Sequence, residues 1–168
     1  MVTDDRQAAL ARQAELRERH LRPPASRAAT TGAGIHHAAF VCDDVEATIR
    51  FYQDLLGFPL VELVENRDYP GSTHFFFDVG HGNLLGFFDF PGLGLARAVE
   101  AIGGVQHVAI SVGPEQHARL RARLDEAGVG YLGPDRGVEE SLYLRDPNGV
   151  QIELYREDLG VFDGRPLL

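Results

Sequence analysis

The pattern of apolar and polar positions predicts one set of secondary-structure elements that occurs twice along the chain. In the first copy, residues 35–41 alternate as in a strand and place His37 and Ala39 on one face. A helix follows, with Asp43 and Glu46 as a predicted capping box. Its apolar stripe and its end are Val45, Ile49, Tyr52, Leu56 and Gly57. Three further strands are predicted at 60–64, 73–79 and 83–88, which gives the order βαβββ.

The second copy repeats this order. A strand is predicted at 105–112, a helix begins near Pro114 and ends at Gly128, and further strands follow at 129–132, 141–145 and 150–155. Alternation places one set of side chains on a common, largely polar face: His107, Ala109, Ser111, Gln151, Glu153 and Tyr155. The branched apolar residues between them are predicted to pack under the helices.

A helix-favouring segment from about Thr3 to Leu21 precedes both copies, and Pro23 and Pro24 end it. We therefore expect an N-terminal helical arm and linker over residues 1–33. One α+β domain then covers residues 34–168, built from two paired βαβββ modules at about 34–92 and 104–157. The paired modules are expected to form a concave mixed sheet that surrounds the polar face.

The amino-acid composition and net charge indicate which kinds of binding partner are unfavourable. The 168 residues are 44% apolar and 24% charged, enough for one globular core, and the net charge of -9 disfavours nucleic acid and anionic lipid. No long apolar stretch or secretory leader pattern is present, so a cytoplasmic protein is expected. The lone cysteine, Cys42, excludes an internal disulfide and is expected to be a core thiol.

Candidate metal ligands occur at positions where the two copies match. GIHHAAFV and GVQHVAIS share one frame, so His37 and His107 open equivalent strands, and Glu153 lies in the middle of the last strand. A register slip of one residue would exchange His37 for His36. Two histidines and one carboxylate form a facial triad, which leaves coordination positions open and suits Fe(II) or Mn(II).

The paired modules, the helix sequence DDVEATIRFYQDLLGF and the segment DPNGVQIEL resemble the vicinal oxygen chelate superfamily, the glyoxalase, bleomycin resistance protein and extradiol dioxygenase family. The resemblance covers residues 34–157. It implies a divalent metal in the concave sheet that chelates vicinal oxygens of a small-molecule substrate, and it favours a homodimer. Members include extradiol dioxygenases, glyoxalase-type isomerases, fosfomycin-resistance transferases and metal-free drug-binding proteins.

The resemblance also implies roles for individual residues. Gly86 aligns with Glu153, so the first module lacks the carboxylate that glyoxalase-type isomerases place there. Tyr143 lies ten positions before Glu153, the spacing at which extradiol dioxygenases carry a site tyrosine that bonds a metal-bound catecholate oxygen. Those enzymes use a further histidine as acid and base, for which His81 is the first candidate and His74 the second.

These inferences predict a dioxygenase-like enzyme, with Fe(II) held by His37, His107 and Glu153 and with extradiol cleavage of a catechol-like molecule. Mn(II), Zn(II) or Ni(II) at the same ligands would instead suit a lyase, an isomerase or a thiol transferase. A binding protein that sequesters a small molecule is the third alternative. Three phenylalanines, Phe75, Phe77 and Phe87, are candidates for an apolar wall beside an aromatic ring, or else for the core.

Overall fold

The computed structural model describes residues 2–133, 140–157 and 159, which fall into two compact units. The first, residues 2–33, contains helix α1 (Val2–His20) and a 3-10 turn (Pro24–Ser26). The side chains of this helix from Asp5 onwards are exposed. The predicted N-terminal segment is thus helical, and none of the described helices has the length and apolar character that a membrane span needs.

The second unit, residues 34–159, carries both modules. Its elements are β1 (His37–Cys42), α2 (Val45–Ile49), which continues as a π-helix (Arg50–Leu55), β2 (Leu60–Glu65), β3 (Thr73–Asp78), β4 (Leu84–Asp89), β5 (Val108–Ser111), α3 (Gly113–Glu126), β6 (Leu142–Arg145) and β7 (Gln151–Tyr155). The α+β class is confirmed, and the first module has the order βαβββ.

The strands form two mixed sheets. Sheet A has the order β1-β4-β3-β2 and sheet B the order β5-β7-β6. In each sheet the first strand runs parallel to the last strand of its own module, and the remaining pairs are antiparallel. Among the described strands, β1 and β5 are edge strands of separate sheets: β1 is hydrogen-bonded to β4, and β5 is hydrogen-bonded to β7.

The core of the second unit lies between one face of each sheet and the helical segments at 45–55 and 113–126. Tyr52 is fully buried and packs against Phe77 and Phe87, with ring centroids 5.0 and 5.1 Å away. Phe75, Phe77 and Phe87 all have zero exposure. Of the two predicted alternatives, a substrate wall and the core, the structure shows the core: strand alternation turns these side chains toward the helix, where a bound ligand has no access.

Local details differ from the sequence prediction in two places. The helix N-cap is Asp44, whose Oδ1 accepts a hydrogen bond from the backbone N–H of Ala47 at 2.8 Å, so the capping box predicted from Asp43 does not form. The strand predicted at 129–132 is reduced to a single bridge between Leu132 and Tyr143. Residues 134–139, which would continue it, lie outside the described residues.

A buried polar cluster joins the two modules at the β6–β7 turn. The Tyr52 hydroxyl donates to Asp146 Oδ2 at 3.1 Å, and Asn148 Nδ2 donates to Thr48 Oγ1 at 3.1 Å. Asn148 Oδ1 also accepts from the backbone N–H of Asp43, the residue after β1, at 3.0 Å. Burial, and then the Asp146 carboxylate, raise the pKa of Tyr52 well above its usual value, so its hydroxyl stays protonated as a donor.

Candidate metal and substrate site

Three of the predicted site residues, His107, Tyr143 and Glu153, lie together on the face of sheet B that is turned away from the core. We call this face of each sheet its open face. Glu153, in the middle of β7, is only 4% exposed, and its Oε2 lies 3.0 Å from His107 Nε2. Its other oxygen, Oε1, accepts a hydrogen bond from the Tyr143 hydroxyl at 2.5 Å. Tyr143 and Glu153 are direct cross-strand partners in β6 and β7. The alternation predicted for β7 is therefore confirmed, with Ile152 and Leu154 buried on the opposite face.

The separation of His107 and Glu153 suits two ligands of one ion. Nitrogen and oxygen ligands lie about 2.1 Å from a divalent transition metal, so two ligands at right angles are about 3.0 Å apart. An imidazole nitrogen and a carboxylate oxygen are also donors that Fe(II), Mn(II) and Zn(II) accept. The pair thus fits two positions of a metal centre.

His37, the third predicted ligand, lies in sheet A rather than beside sheet B. It opens β1, is exposed, and packs the edge of its ring against Phe76 with centroids 5.7 Å apart. Within residues 2–133, 140–157 and 159, no three His, Cys, Asp or Glu side chains form a group that could hold a metal. The structure therefore brings His107 and Glu153 together and does not join His37 to them.

Both candidate ligand histidines are held at Nδ1 by the side chain of the preceding residue. His37 Nδ1 lies 2.9 Å from His36 Nδ1, so one of the two rings carries its proton on that atom. His107 Nδ1 contacts Gln106 Oε1 in the same way. A metal-binding imidazole commonly uses its second nitrogen for such a bond. In the sequence, His36 was an alternative to His37 and Gln106 was not a candidate, although the matched frames place both immediately before the histidine.

The two candidate acid–base histidines have different surroundings. His81 is exposed in the turn between Gly80 and Gly82, with a left-handed φ of 53°. His74 lies on the open face of sheet A and stacks on Phe88, with centroids 3.7 Å apart. Burial, and then His37, lower the pKa of His74, which favours a neutral imidazole. Its Nε2 is buried and has no hydrogen-bond partner among the described residues.

Two other buried titratable groups lie away from the open faces. Cys42 is 4% exposed at the end of β1, on the side that packs in the core, and burial raises the pKa of its thiol to about 11. This confirms a core thiol of low reactivity. His117 is buried on α3, where burial, and then Arg156 and Arg121, lower its pKa.

Comparison with known proteins shows the family and the fold. Residues 34–154 match the family model described as the Glyoxalase/Bleomycin resistance protein/Dioxygenase superfamily. MhqE of Bacillus subtilis, named as a candidate ring-cleaving dioxygenase, is 31% identical over 127 residues, which cover 74% of this chain and 41% of MhqE.

Solved structures share the fold. The crystal structure of a candidate dioxygenase from Bacillus subtilis has a TM-score of 0.67 and 27% identity and matches 79% of this chain and 43% of that one. A mutant of the fosfomycin resistance protein FosX from Listeria monocytogenes, complexed with Mn(II) and 1S,2S-dihydroxypropylphosphonic acid, has a TM-score of 0.58 and 19% identity over 77% of this chain and 96% of FosX. The chain thus spans about two fifths of the dioxygenase relatives and nearly all of FosX.

Proposed function

Because the chain belongs to the glyoxalase, bleomycin resistance protein and dioxygenase superfamily, we propose that it is a metal-dependent dioxygenase-like enzyme. Its substrate is a catechol-like small molecule, which it cleaves in the extradiol manner. The observation that carries the proposal is the pair of His107 and Glu153, 3.0 Å apart, with Tyr143 bonded to the same carboxylate. The 31% identity to MhqE supports the reaction class.

We assign the metal to His107, Glu153 and His37, with Fe(II) as the first candidate and Mn(II), Zn(II) or Ni(II) as alternatives. His37 is included because it occupies the position in β1 that His107 occupies before β5. When bound, the ion supplies Lewis acidity toward the two substrate oxygens and electron density for dioxygen. The Mn(II) complex of FosX supports a divalent ion in this fold.

The protein's own residues then have separate tasks. Tyr143 holds Oε1 of Glu153, which fixes the direction of Oε2 toward His107. This differs from the role that the resemblance implied for Tyr143, a bond to the substrate oxygen. For proton transfer we prefer His74 to His81, because His74 shares the open face of sheet A with His37 and both rings contact Phe76. His74 takes a proton from one substrate hydroxyl and returns it to the ring-opened product.

A second candidate is a lyase, an isomerase or a thiol transferase that uses the same ligands without dioxygen. The match to FosX along nearly its whole length favours this alternative, since the dioxygenase relatives are more than twice as long as the matched region. The dioxygenase proposal predicts oxygen consumption, whereas this alternative does not.

The test is oxygen uptake by protein purified without oxygen and loaded with Fe(II) or Mn(II). We expect consumption of one O2 per catechol, with a ring-opened product in the near-ultraviolet spectrum, and we expect His107→Ala to lose both activity and bound metal. Metal binding without oxygen uptake across a panel of catechols would shift the assignment to the second candidate. A wild-type protein that takes up no metal would point instead to a sequestering protein.

We further propose a cytoplasmic homodimer. Ile102 is fully exposed, and Val99 and Val105, on the same connection between modules, are 81% and 65% exposed. Apolar residues exposed so close together commonly mark a protein interface. Light scattering that gives the mass of one chain at micromolar concentration would contradict the dimer.

A further inference from the structure

The internal repeat places three positions of the first module in register with the site of the second. In sheet B, Glu153 lies between its partners Ala109 and Tyr143. In sheet A, the central position of the three is Gly86, whose partners are Ala39 and Phe76. The predicted alignment of Gly86 with Glu153 is therefore confirmed by the strand pairing, and Phe76 is the counterpart of Tyr143.

The histidine contacts match as well. The rings of His37 and Phe76 meet edge to face, with centroids 5.7 Å apart and planes at 89°. The rings of His107 and Tyr143 meet in the same way, at 5.9 Å and 79°. Both modules thus keep the pairing of a histidine with an aromatic ring, and the difference between them is confined to the carboxylate and the hydroxyl.

The first module fills the position of the carboxylate with an aromatic ring. A Cβ atom at Gly86 would lie 2.9 Å from Phe76 Cε1, closer than real Cβ atoms approach, and 3.1 Å from Cδ1, so the ring lies over the glycine. Phe76 also lacks the hydroxyl that Tyr143 uses to hold Glu153. This half of the repeat is therefore apolar where the other half is polar.

Further rings extend the apolar surface on the same face. Strand pairing sets His74 opposite Phe88, one alternate position from Phe76 and Gly86. The rings of His74 and Phe88 are stacked at 18°, and Phe90 continues the row at 6.0 Å from Phe88. Phe76 and Phe88 are half-buried, unlike the fully buried phenylalanines of the opposite face. A ligand can reach them.

We propose that Phe76, lying over Gly86, and Phe88, stacked with His74, form the ring-binding wall of the site and select a planar aromatic substrate. This inference rests on the proposed function, in which His37 beside Phe76 shares its ion with His107 and Glu153. The two modules then contact different parts of the substrate. The second module presents polar groups to the vicinal oxygens, and the first presents aromatic side chains to the substrate ring. Offset stacking between such rings is favourable beyond simple burial.

Three probes separate ring binding from oxygen chelation. 2,3-Dihydroxynaphthalene has a flat body and vicinal oxygens, 2-naphthol has the flat body with one oxygen, and trans-1,2-cyclohexanediol has vicinal oxygens without a flat body. The chain contains no tryptophan, so naphthalene fluorescence is measured without that background. We expect 2-naphthol to bind metal-free protein, and we expect cyclohexanediol not to displace it.

The variants are Phe76→Leu, Phe88→Leu and Gly86→Ala, with Leu63→Ala as the control. Leu63 is 49% exposed on β2 and pairs with Phe75 of the opposite face. We expect each wall variant to weaken 2-naphthol binding about tenfold, and Gly86→Ala to act by displacing the Phe76 ring. The control should bind as the wild type does. Mn(II) should still bind in all four, because none of the substitutions removes a proposed ligand, and retained binding also shows that the variants are folded.

The outcomes test the ring-binding wall and the dioxygenase activity independently of each other. Equal 2-naphthol affinity in the wild type, the wall variants and the control would overturn the wall, even if catechols are oxidised. Displacement of 2-naphthol by cyclohexanediol in metal-free protein would overturn it as well. Loss of 2-naphthol binding confined to the wall variants, together with no oxygen uptake on any diol, would support the wall and contradict the dioxygenase.

Discussion

His36 and Gln106 hold equivalent positions, each immediately before a candidate ligand histidine and each in contact with its Nδ1. If these contacts orient the imidazoles, His36→Ala should weaken Mn(II) binding about 10- to 100-fold, the usual cost of losing such a partner. His36→Gln should restore most of the affinity, because Gln106 already performs this task in the second module. Electron paramagnetic resonance of free Mn(II) measures both dissociation constants.

The glutamine variant is the matched control for that experiment. If His36, which lies exposed just before β1, had only a structural role, the alanine and glutamine variants would bind Mn(II) equally. An alanine variant that binds Mn(II) as tightly as the wild type would contradict the orienting role and would remove support for His37 as a ligand.

The position of a single residue could be predicted from the sequence where strand alternation or the internal repeat determines which face of the sheet it lies on. Glu153 and its neighbours alternate between polar and apolar, so its open-face position followed from the pattern. The phenylalanines of β3 are consecutive, Phe75 to Phe77, and a run without alternation does not indicate which face is buried. The sequence therefore left a wall and the core as alternatives for Phe75 and Phe77, and the structure places both in the core, with Phe76 on the open face.

The elements are joined by the polar cluster around Asp146, and its stabilising effect can be measured. Tyr52 is fully buried and donates its hydroxyl to Asp146 Oδ2 from the first module. Tyr52→Phe should lower the free energy of unfolding by about 2 kcal/mol, since a hydrogen bond to a buried charged group is lost. Urea denaturation followed by circular dichroism measures the change.

Tyr131→Phe is the control for Tyr52→Phe. The Tyr131 hydroxyl donates to Asp125 at 2.8 Å, but this bond is exposed, so its loss should cost less than about 0.5 kcal/mol. Equal effects of the two substitutions would mean that the Asp146 cluster does not stabilise the junction between the modules.

Element boundaries were predictable where a residue type restricts the backbone. Gly57 and Gly128 have φ values of 77° and 66° after their helices, as a helix end favours, and Pro114 lies in the first turn of α3. The π-helix at Arg50–Leu55 has no comparable signal in the sequence. Its i to i+5 bonds, such as Leu56 N–H to Phe51 C=O at 3.1 Å, occur where Tyr52 and Leu56 are buried in the core, a tertiary environment that the local sequence does not reveal.

At the scale of the whole molecule, the structure of each module could be predicted from the sequence, whereas the position of one module relative to the other could not. Each module is specified by its own periodicity and turns, and these are local properties of the sequence. The approach of β1 to β5 would depend on contacts between residues about 70 positions apart, for which no local pattern exists. This is why the His107–Glu153 pair, held within sheet B, followed from the sequence, whereas the placement of His37 did not.

Metal binding should therefore appear as a stability effect of the whole chain that depends on Glu153. A ligand at 100 times its dissociation constant stabilises the native state by about 2.7 kcal/mol, which for a chain of this size raises the unfolding midpoint by about 5–10 °C. We expect this shift when Mn(II) is added to the wild type and to Glu100→Gln, an exposed carboxylate on the connection between modules. Glu153→Gln should lose most of the shift, because an amide replaces the charged ligand while His107 remains. Comparing shifts rather than midpoints removes the effect of each substitution on the metal-free protein. An equal shift in both glutamine variants would show that the ion binds elsewhere.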